Sequence, residues 1–333
     1  MKSFMVSVFF VCMFIFLIGC ENSTSMRLAI DENDEDSSEI ADDSDAVDPT
    51  NPTDPTDPTD DPTNPTDPTD PAYCSAVFNG SSSKVEVAHN DALNLNSESW
   101  TIEAWIKQTG ELTSEAAPIV AKKGSDNDYG DFGGMGNDEQ SYNYFLSGYY
   151  QKNSWGGTST AMKGSANYST SEMMGSQASD AEASNLSNSG DWTHIALVQT
   201  MTTTNMNKKK PTITLYINGQ KAASKEGGSN SNYGQNNQTP SITTSTEPLI
   251  IGSTGESEES GFGGFGSEAV YFNGLIDSIK ISNAAKYTGD FTPEKLSADN
   301  DTIAFWDFNG NTDDSKSGLN GTPTDITYST DCK

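Results

Sequence analysis

Proline recurs at almost every third position of one run near the N-terminus, and this feature decides which part of the chain is able to fold. Residues 49–71 read PTNPTDPTDPTDDPTNPTDPTDP. Proline has no backbone N–H and a fixed φ, so this spacing excludes helix and sheet and favours an extended polyproline II conformation. At ~3.1 Å per residue the run would reach on the order of 70 Å. We therefore predict that residues 49–71 act as a spacer.

The sequence around this run is strongly acidic. Residues 21–72 hold 17 aspartates and glutamates against one basic residue, Arg27, in a chain of net charge −30. Such a composition buries too little apolar surface to offset the entropy lost on folding. We predict a disordered acidic Pro/Thr/Asp linker over residues 20–73, in preference to a calcium-chelating tract or an acidic ligand patch. The charge also argues against nucleic acid as a partner.

The first 19 residues read as a secretion signal, with Lys2 followed by a mostly apolar run that is too short for a spanning helix. The segment Leu17-Ile18-Gly19-Cys20 resembles the lipobox of bacterial lipoproteins. That resemblance implies cleavage of the signal peptide (residues 1–19) and a lipid-modified Cys20. It implies a protein anchored to a membrane of the cell envelope by its N-terminal lipid, at the outer membrane or cell surface. An uncut membrane anchor is the alternative.

Two of the four cysteines are left for the folded region. Cys12 would leave with the signal peptide, and Cys20 would carry lipid. An even pair in an exported protein predicts a disulfide, here between Cys74 and Cys332, with two free thiols as the alternative. Such a bridge would close residues 74–333 into one domain and stabilise it by about 4–5 kcal/mol in the chain-entropy model.

Residues after the linker show short alternating runs and no long helical periodicity. In TIEAWIK, residues 101–107, Ile102, Ala104 and Ile106 would share one face of a strand. TITLYING, residues 212–219, ends in Asn218-Gly219, which is the strongest hairpin signal in the chain. About ten such runs separated by turn residues predict an all-β, antiparallel sandwich or jelly roll.

The order of these runs resembles the laminin-G-like, concanavalin A-like jelly-roll family. The segments that carry the resemblance are AVFNG (76–80), KVEVA through IEAWIK (84–107), GDWTHIALV (190–198), ITLYINGQKAA (213–223), LIIGSTG (249–255), YFNGLIDSIKISNAAKY (271–287) and IAFWDFNGNTDDSKSGLNGT (303–322). The resemblance implies an antiparallel jelly-roll β-sandwich over 74–333, with His194 as a structural strand residue. Four Gly/Ser/Asn-rich insertions, 124–141, 153–189, 226–247 and 254–268, depart from the family pattern.

Catalytic signatures are weak. Glycosidases of this fold often carry Glu-x-Asp-x-Glu on one strand, and this spacing is absent from the sequence. The chain has only two histidines, and no glycine-rich phosphate loop joins a strand to a helix. We therefore predict that the protein is not an enzyme.

Calcium is the cofactor that the resemblance implies, because members of the family often hold a structural calcium ion with carboxylate, amide and backbone oxygens. We predict Asn79 with Asp277 on neighbouring strands, or Asp307 with Asn309 at a strand-to-loop junction, as its ligands. Ordinary turn chemistry is the alternative explanation for these residues.

Aromatic residues in and near the insertions suggest a ligand site, since binding residues often lie on loops. We predict Tyr129, Tyr142, Trp155 and Tyr168 as ligand-binding residues; the alternative is that they pack their own loops onto the sandwich. The function we predict is a lipid-anchored cell-surface recognition module that binds carbohydrate. A protein-binding adhesin, with a cell-surface protein as its partner, or a structural envelope protein without a sugar site is the second hypothesis, and a glycan-degrading enzyme is the third.

Overall fold

A computed structural model describes ten ranges of the chain: 72–95, 99–112, 114–124, 142–154, 157–169, 177–203, 209–227, 241–242, 244–254 and 269–333. The predicted signal peptide, Cys20 and nearly all of the predicted linker lie outside these residues. No helix in the ranges listed is long and apolar enough to cross a membrane.

Seventeen strands, numbered in chain order, form two antiparallel sheets in the described residues. The eight-stranded sheet has the order β11-β10-β9-β3-β14-β1-β17, with β15 also beside β14. Its strands are β1 (Ser75–Asn79), β3 (Trp100–Gln108), β9 (Thr193–Thr203), β10 (Lys209–Ile217), β11 (Gln220–Glu226), β14 (Asn273–Ser282), β15 (Thr302–Trp306) and β17 (Thr327–Ser329).

The nine-stranded sheet has the order β12-β7-β5-β4-β13-β2-β16, and both β6 and β8 also pair with β7. Its strands are β2 (Lys84–Val87), β4 (Pro118–Lys123), β5 (Tyr142–Ser147), β6 (Tyr150–Ser154), β7 (Gly157–Ser169), β8 (Gln177–Ser184), β12 (Ser241–Ile242), β13 (Leu249–Ile251) and β16 (Gly321–Thr324). One short 3-10 helix covers Asp91–Leu93. The predicted antiparallel β-sandwich is confirmed.

The core lies between the inner faces of the sheets, and it follows from the alternation in the sequence. Ile102, Ala104 and Ile106 of β3 are fully buried in it, as the pattern of residues 101–107 predicts. Met162 of β7 and Ala181 of β8 face the same core from the nine-stranded sheet. Because successive side chains of a strand point to opposite faces, the residues between them lie on the outer faces of the two sheets.

The predicted Asn218-Gly219 turn joins β10 to β11. Both residues have positive φ, 49° and 76°, which is the conformation that a two-residue hairpin of this kind requires. A Cβ atom on Gly219 would meet the carbonyl oxygen of Phe291 at 1.9 Å, so no larger residue fits this close approach.

The two ends of the described domain meet at the edge of the eight-stranded sheet. β1 pairs with β17, and Ser75 lies opposite Ser329. A disulfide joins Cys74 to Cys332, whose Cα atoms are 5.4 Å apart, within the range that a disulfide spans. The backbone N–H of Cys74 donates to the carbonyl of Ser329 at 3.0 Å. The strand pairing therefore holds the two cysteines near each other independently of the bond.

One lysine points into the core. Lys122 of β4 lies between Leu249 and Tyr144 in the register of the nine-stranded sheet, and it is fully buried. Its ammonium group donates to the backbone carbonyl of Glu247 and lies 3.3 Å from Nδ1 of His89. Burial lowers the pKa of Lys122 to about 8, against the opposing charges of Glu247 and Asp91.

Lys122 should therefore give the fold a distinct alkaline pH dependence. The charged amine is favoured in the unfolded chain, where the pKa of lysine has its ordinary value of 10.5. The folded state therefore gains stability relative to the unfolded chain as the pH rises from about 8 towards 10.5. We expect the free energy of unfolding of the wild type to rise relative to Lys122→Met by up to about 3 kcal/mol over that range. Urea denaturation at several pH values measures this difference, with Lys221→Met, on an exposed residue of β11, as the control. A difference that stays constant would contradict the burial argument.

Candidate functional site

The outer face of the nine-stranded sheet carries a compact group of ionisable residues. Lys163 and Ser165 of β7 alternate with core residues, as do Asp180 and Glu182 of β8. The register of the two strands sets Lys163 opposite Glu182 and Ser165 opposite Asp180. With Tyr150 and Lys152 of β6, these residues form what we call the charged face: Tyr150, Lys152, Lys163, Ser165, Asp180 and Glu182.

Glu182 is the centre of the first half of the charged face. Tyr150 donates its hydroxyl to Oε2 of Glu182 at 2.8 Å, and the ammonium group of Lys152 contacts Oε1. Burial raises the pKa of Glu182, but the hydrogen bonds from Lys152 and Tyr150 outweigh it, so the pKa ends below its ordinary value. The side chain is 25% exposed, so an ionised carboxylate is both held in place and within reach of solvent.

Asp180 is the centre of the second half. Ser165 donates to its Oδ1 at 2.6 Å, and the Nζ atom of Lys163 lies 3.7 Å from its Oδ2. The side chain of Asp180 is 39% exposed, whereas that of Lys163 is only 7% exposed. Two carboxylates two residues apart on one strand are roughly 7 Å apart at their Cα atoms. The charged face therefore presents two oriented carboxylates, each held by a lysine beneath or beside it.

None of the residues predicted from the sequence belongs to the charged face. The pattern Asp180-Ala181-Glu182 in QASDAEAS puts both acids on one side of a strand, and this is the signal that could have found it. The run is poor in β-branched and aromatic residues, and it lies in a Gly/Ser/Asn-rich insertion, so its composition does not predict a strand.

A second ionisable group lies on the eight-stranded sheet, and it is closed to ligands. Glu103 and His194 are fully buried, and their Oε2 and Nε2 atoms are 3.2 Å apart. The hydroxyl of Tyr287 donates to Oε2 of Glu103 at 2.6 Å, and Nζ of Lys280 lies 3.0 Å from Oε1. An ionised carboxylate can only accept, so His194 donates through Nε2. The position of His194 within β9 agrees with the structural role that the family resemblance implies.

The four predicted ligand-binding aromatics do not come together as one site in the described residues. Tyr129 and Trp155 lie outside the described residues. Tyr142 is partly buried, and its hydroxyl donates to the carbonyl of Thr254 at 3.2 Å. Tyr168 is fully buried and donates to Oε1 of Gln199 at 2.7 Å. The prediction for Tyr168 is wrong, because this residue lies on the inward side of β7 and packs in the core.

The structure does not bring the predicted calcium ligands Asn79 and Asp277 together. Asn79 lies opposite Asn273, whereas Asp277 follows Ile276, which lies opposite Ala76. The two residues are therefore roughly 10 Å or more apart along the strands. Oδ1 of Asn79 instead accepts from the backbone N–H groups of the three serines that follow, Ser81, Ser82 and Ser83, at 2.9–3.1 Å. This is the turn chemistry that was the alternative.

Asp277 lies closer to the second predicted pair. It is buried at a register shift of β14, and burial raises its pKa, with a further contribution from the charge of Asp307. Oδ1 of Asp277 accepts from the N–H of Lys333 at 3.2 Å. Asp307 and Asn309 follow β15, and Asn309 is exposed. In the part of the chain that the structure describes, no group of three or more His, Cys, Asp or Glu side chains is arranged to hold a metal ion.

In the loop after β15, Asp314 has a structural role. The carboxylate of Asp314 is buried and accepts from four backbone N–H groups, those of Phe305, Lys316, Ser317 and Leu319, at 2.8–3.0 Å. An aspartate used in this way fixes the loop conformation and has little capacity left for an ion.

Comparison with known proteins agrees with this architecture. The family model Laminin_G_3, described as "Concanavalin A-like lectin/glucanases superfamily", matches residues 79–288, which is more than half of the chain. The chain belongs to this superfamily. The matched residues include the charged face on β6, β7 and β8, and the buried group around Glu103. No curated protein matches the chain.

Solved structures with some likeness include a carbohydrate-binding module. The CBM40 module of Ruminococcus gnavus IT-sialidase is 14% identical, with a TM-score of 0.36, and the match covers 63% of this chain and 92% of that chain. The same module bound to alpha2,3 sialyllactose is 13% identical with a TM-score of 0.34, and the match covers 65% of this chain and 95% of that chain.

Proposed function

We propose that this protein is a surface recognition module that binds carbohydrate through the charged face of its concanavalin A-like sandwich. The observation that carries the proposal is the pair of partly exposed carboxylates at Asp180 and Glu182, which are held in place by Ser165 and Lys152 respectively. Charge-assisted hydrogen bonds from sugar hydroxyls to such carboxylates are strong and directional. Membership of a superfamily that includes lectins supports the same function.

Binding rather than hydrolysis is the chemistry that the charged face supports. A glycosidase with two carboxylates needs one of them protonated as a general acid, with its pKa raised towards neutrality. The hydrogen bonds from Lys152 and Tyr150 have the opposite effect on Glu182, because they lower its pKa and keep it ionised. A charge-paired carboxylate is suited to accept hydrogen bonds from a ligand and unsuited to donate a proton.

A screen of the full chain on an array of printed oligosaccharides tests this function. We expect saturable binding to a subset of glycans. The screen is run with calcium and again with a chelator, because a calcium requirement is a separate prediction of the family resemblance. Absence of binding to every printed glycan, with the chain shown to be folded, would contradict the proposal and favour a protein-binding or structural role.

The anchoring of the module at the cell surface is part of the same proposal, and it rests on the lipobox-like Leu17-Ile18-Gly19-Cys20 segment. Lipid on the sulfur and on the amino group of Cys20 would provide several chains, which is what stable attachment requires. The linker that follows would then hold the domain away from the membrane.

A Cys20→Ala chain is expected to lose this attachment. After removal of the signal peptide it should appear in the soluble fraction, while the wild type sediments with membranes. Cys12→Ala, within the apolar leader, is the matched control and should still sediment. A processed Cys20→Ala chain that remained with the membranes would contradict lipid modification at this residue.

A further inference from the structure

The charges of the charged face compensate one another. It contains two basic residues, Lys152 and Lys163, and two acidic residues, Asp180 and Glu182, so its formal net charge is zero. Lys152 contacts Glu182, and Lys163 lies 3.7 Å from Asp180. An anionic ligand would have to compete with a carboxylate of the protein for each of these lysines.

The exposed atoms of the Asp180 half of the charged face favour hydroxyl donors. The ammonium group of this half, that of Lys163, belongs to a side chain only 7% exposed, while the Asp180 carboxylate paired with it is 39% exposed. A ligand that reaches this half of the charged face therefore meets carboxylate oxygens first. Carboxylates accept hydrogen bonds from hydroxyl groups and repel a second carboxylate or a sulfate.

The charge of the rest of the chain acts in the same direction. Of the 48 acidic residues, 17 lie in residues 21–72, which leaves 31 in residues 73–333; of the 18 basic residues, Lys2 and Arg27 precede residue 73, which leaves 16. The net charge of residues 73–333 is therefore −15. Such a field lowers the local concentration of anionic ligands.

We infer that the charged face selects neutral glycans over sialylated, sulfated or uronic acid-containing ones. This inference rests on the proposed function and adds the class of ligand. Hydroxyl groups of a neutral sugar donate to the outward oxygens of Asp180 and Glu182. Lys152, whose side chain is 39% exposed, donates to a sugar oxygen without giving up Glu182. An acidic sugar brings a charge that no unpaired cation of the charged face neutralises.

Matched pairs of oligosaccharides, each neutral glycan printed beside its sialylated or sulfated counterpart, test the inference on the full chain. We expect the neutral member to bind roughly tenfold or more tightly, since like charges placed together in an interface are strongly unfavourable. Binding of the neutral member should change little between about 0.05 and 0.5 M salt, because an uncharged ligand is not screened.

The variant Glu182→Gln separates the role of charge from that of contact, because it removes one negative charge while keeping a side chain of the same shape. We expect it to weaken binding of the neutral glycan. We also expect a smaller difference in affinity between the neutral and the anionic member of the same pair. Anionic members that bind as tightly as neutral ones or more tightly in the wild type would overturn the inference and leave the proposed function intact. Absence of binding to both members of every pair would overturn both the inference and the proposed function.

Discussion

Replacing Glu103 with glutamine is expected to lower the free energy of unfolding by about 3–5 kcal/mol, the usual effect of removing one partner of a buried ion pair. The Glu103 carboxylate is fully buried and contacts Lys280, His194 and Tyr287. Glutamine keeps the shape but not the charge. It therefore leaves the ammonium group of Lys280, whose side chain is 9% exposed, without its closest counter-charge. Urea denaturation measures the loss.

The acid dependence of stability gives an independent readout of the same group. Burial alone would raise the pKa of Glu103, but the hydrogen bond from His194 and the charge of Lys280 outweigh it and lower the pKa below 4.5, its ordinary value. The stability that Glu103 contributes is therefore present above pH 4.5 and is lost as the pH falls through the folded-state pKa. The wild type and Glu103→Gln should converge in stability as the pH falls below 4.5.

A surface carboxylate provides the control for this prediction. Glu86 of β2 is 49% exposed and lies 3.9 Å from Lys84, so Glu86→Gln should change stability little, as is usual for surface ion pairs. A Glu103→Gln chain as stable as Glu86→Gln, or equally acid-sensitive as the wild type, would contradict the role given to the buried group.

Removing the disulfide is expected to have the other large effect. Cys74 and Cys332 are separated by 258 positions, and a loop of this length lies at the upper end of the chain-entropy relation, about 4–5 kcal/mol. The neighbours of Cys332 make contacts of their own: Asp331 contacts Lys107 at 2.7 Å, and Lys333 lies over the ring of Trp105. The double variant Cys74→Ser/Cys332→Ser should unfold at lower urea concentration than the wild type.

Thiol labelling of the unreduced wild type shows whether the bond forms in the protein. Labelling of both Cys74 and Cys332 under denaturing, non-reducing conditions would contradict the bridge, and so would a double variant of unchanged stability. The pairing of β1 with β17 provides a reason why the double variant should still reach the same fold, because this pairing does not depend on the sulfur atoms.

Much of the fold could be predicted because apolar residues alternate with other residues along the strands, and the apolar ones form the inner face of the sandwich. The runs 101–107 and 212–219 each form the expected strand, and the Asn218-Gly219 turn forms the expected hairpin. These features are local, since the period of two and the need for positive φ act within a few residues. The pairing of distant strands, such as β1 with β14, is not a local property.

The candidate site was harder to predict for the same physical reason. Asp180 and Glu182 become a site only when β8 pairs with β7 and brings Lys163 and Ser165 beside them. For Tyr168 the prediction was wrong in the other direction. An aromatic residue in an insertion suggested an exposed ligand-binding loop, whereas Tyr168 lies within β7 and its side chain is buried in the core. The family resemblance suggests Asn79 as a metal ligand, whereas its side-chain oxygen accepts from the backbone of the turn that follows it.

The most direct test of the central claim compares three full chains on the same oligosaccharide array: the wild type, the double variant Asp180→Asn/Glu182→Gln, and Glu86→Gln. Glu86 is 49% exposed and lies near Lys84 on β2, which β5, β4 and β13 separate from β7 in the nine-stranded sheet, so it is a matched control. We predict binding by the wild type and by Glu86→Gln, and a loss of about tenfold or more, at least about 1.4 kcal/mol, in the double variant. Equal binding by all three chains would contradict a glycan site at the charged face.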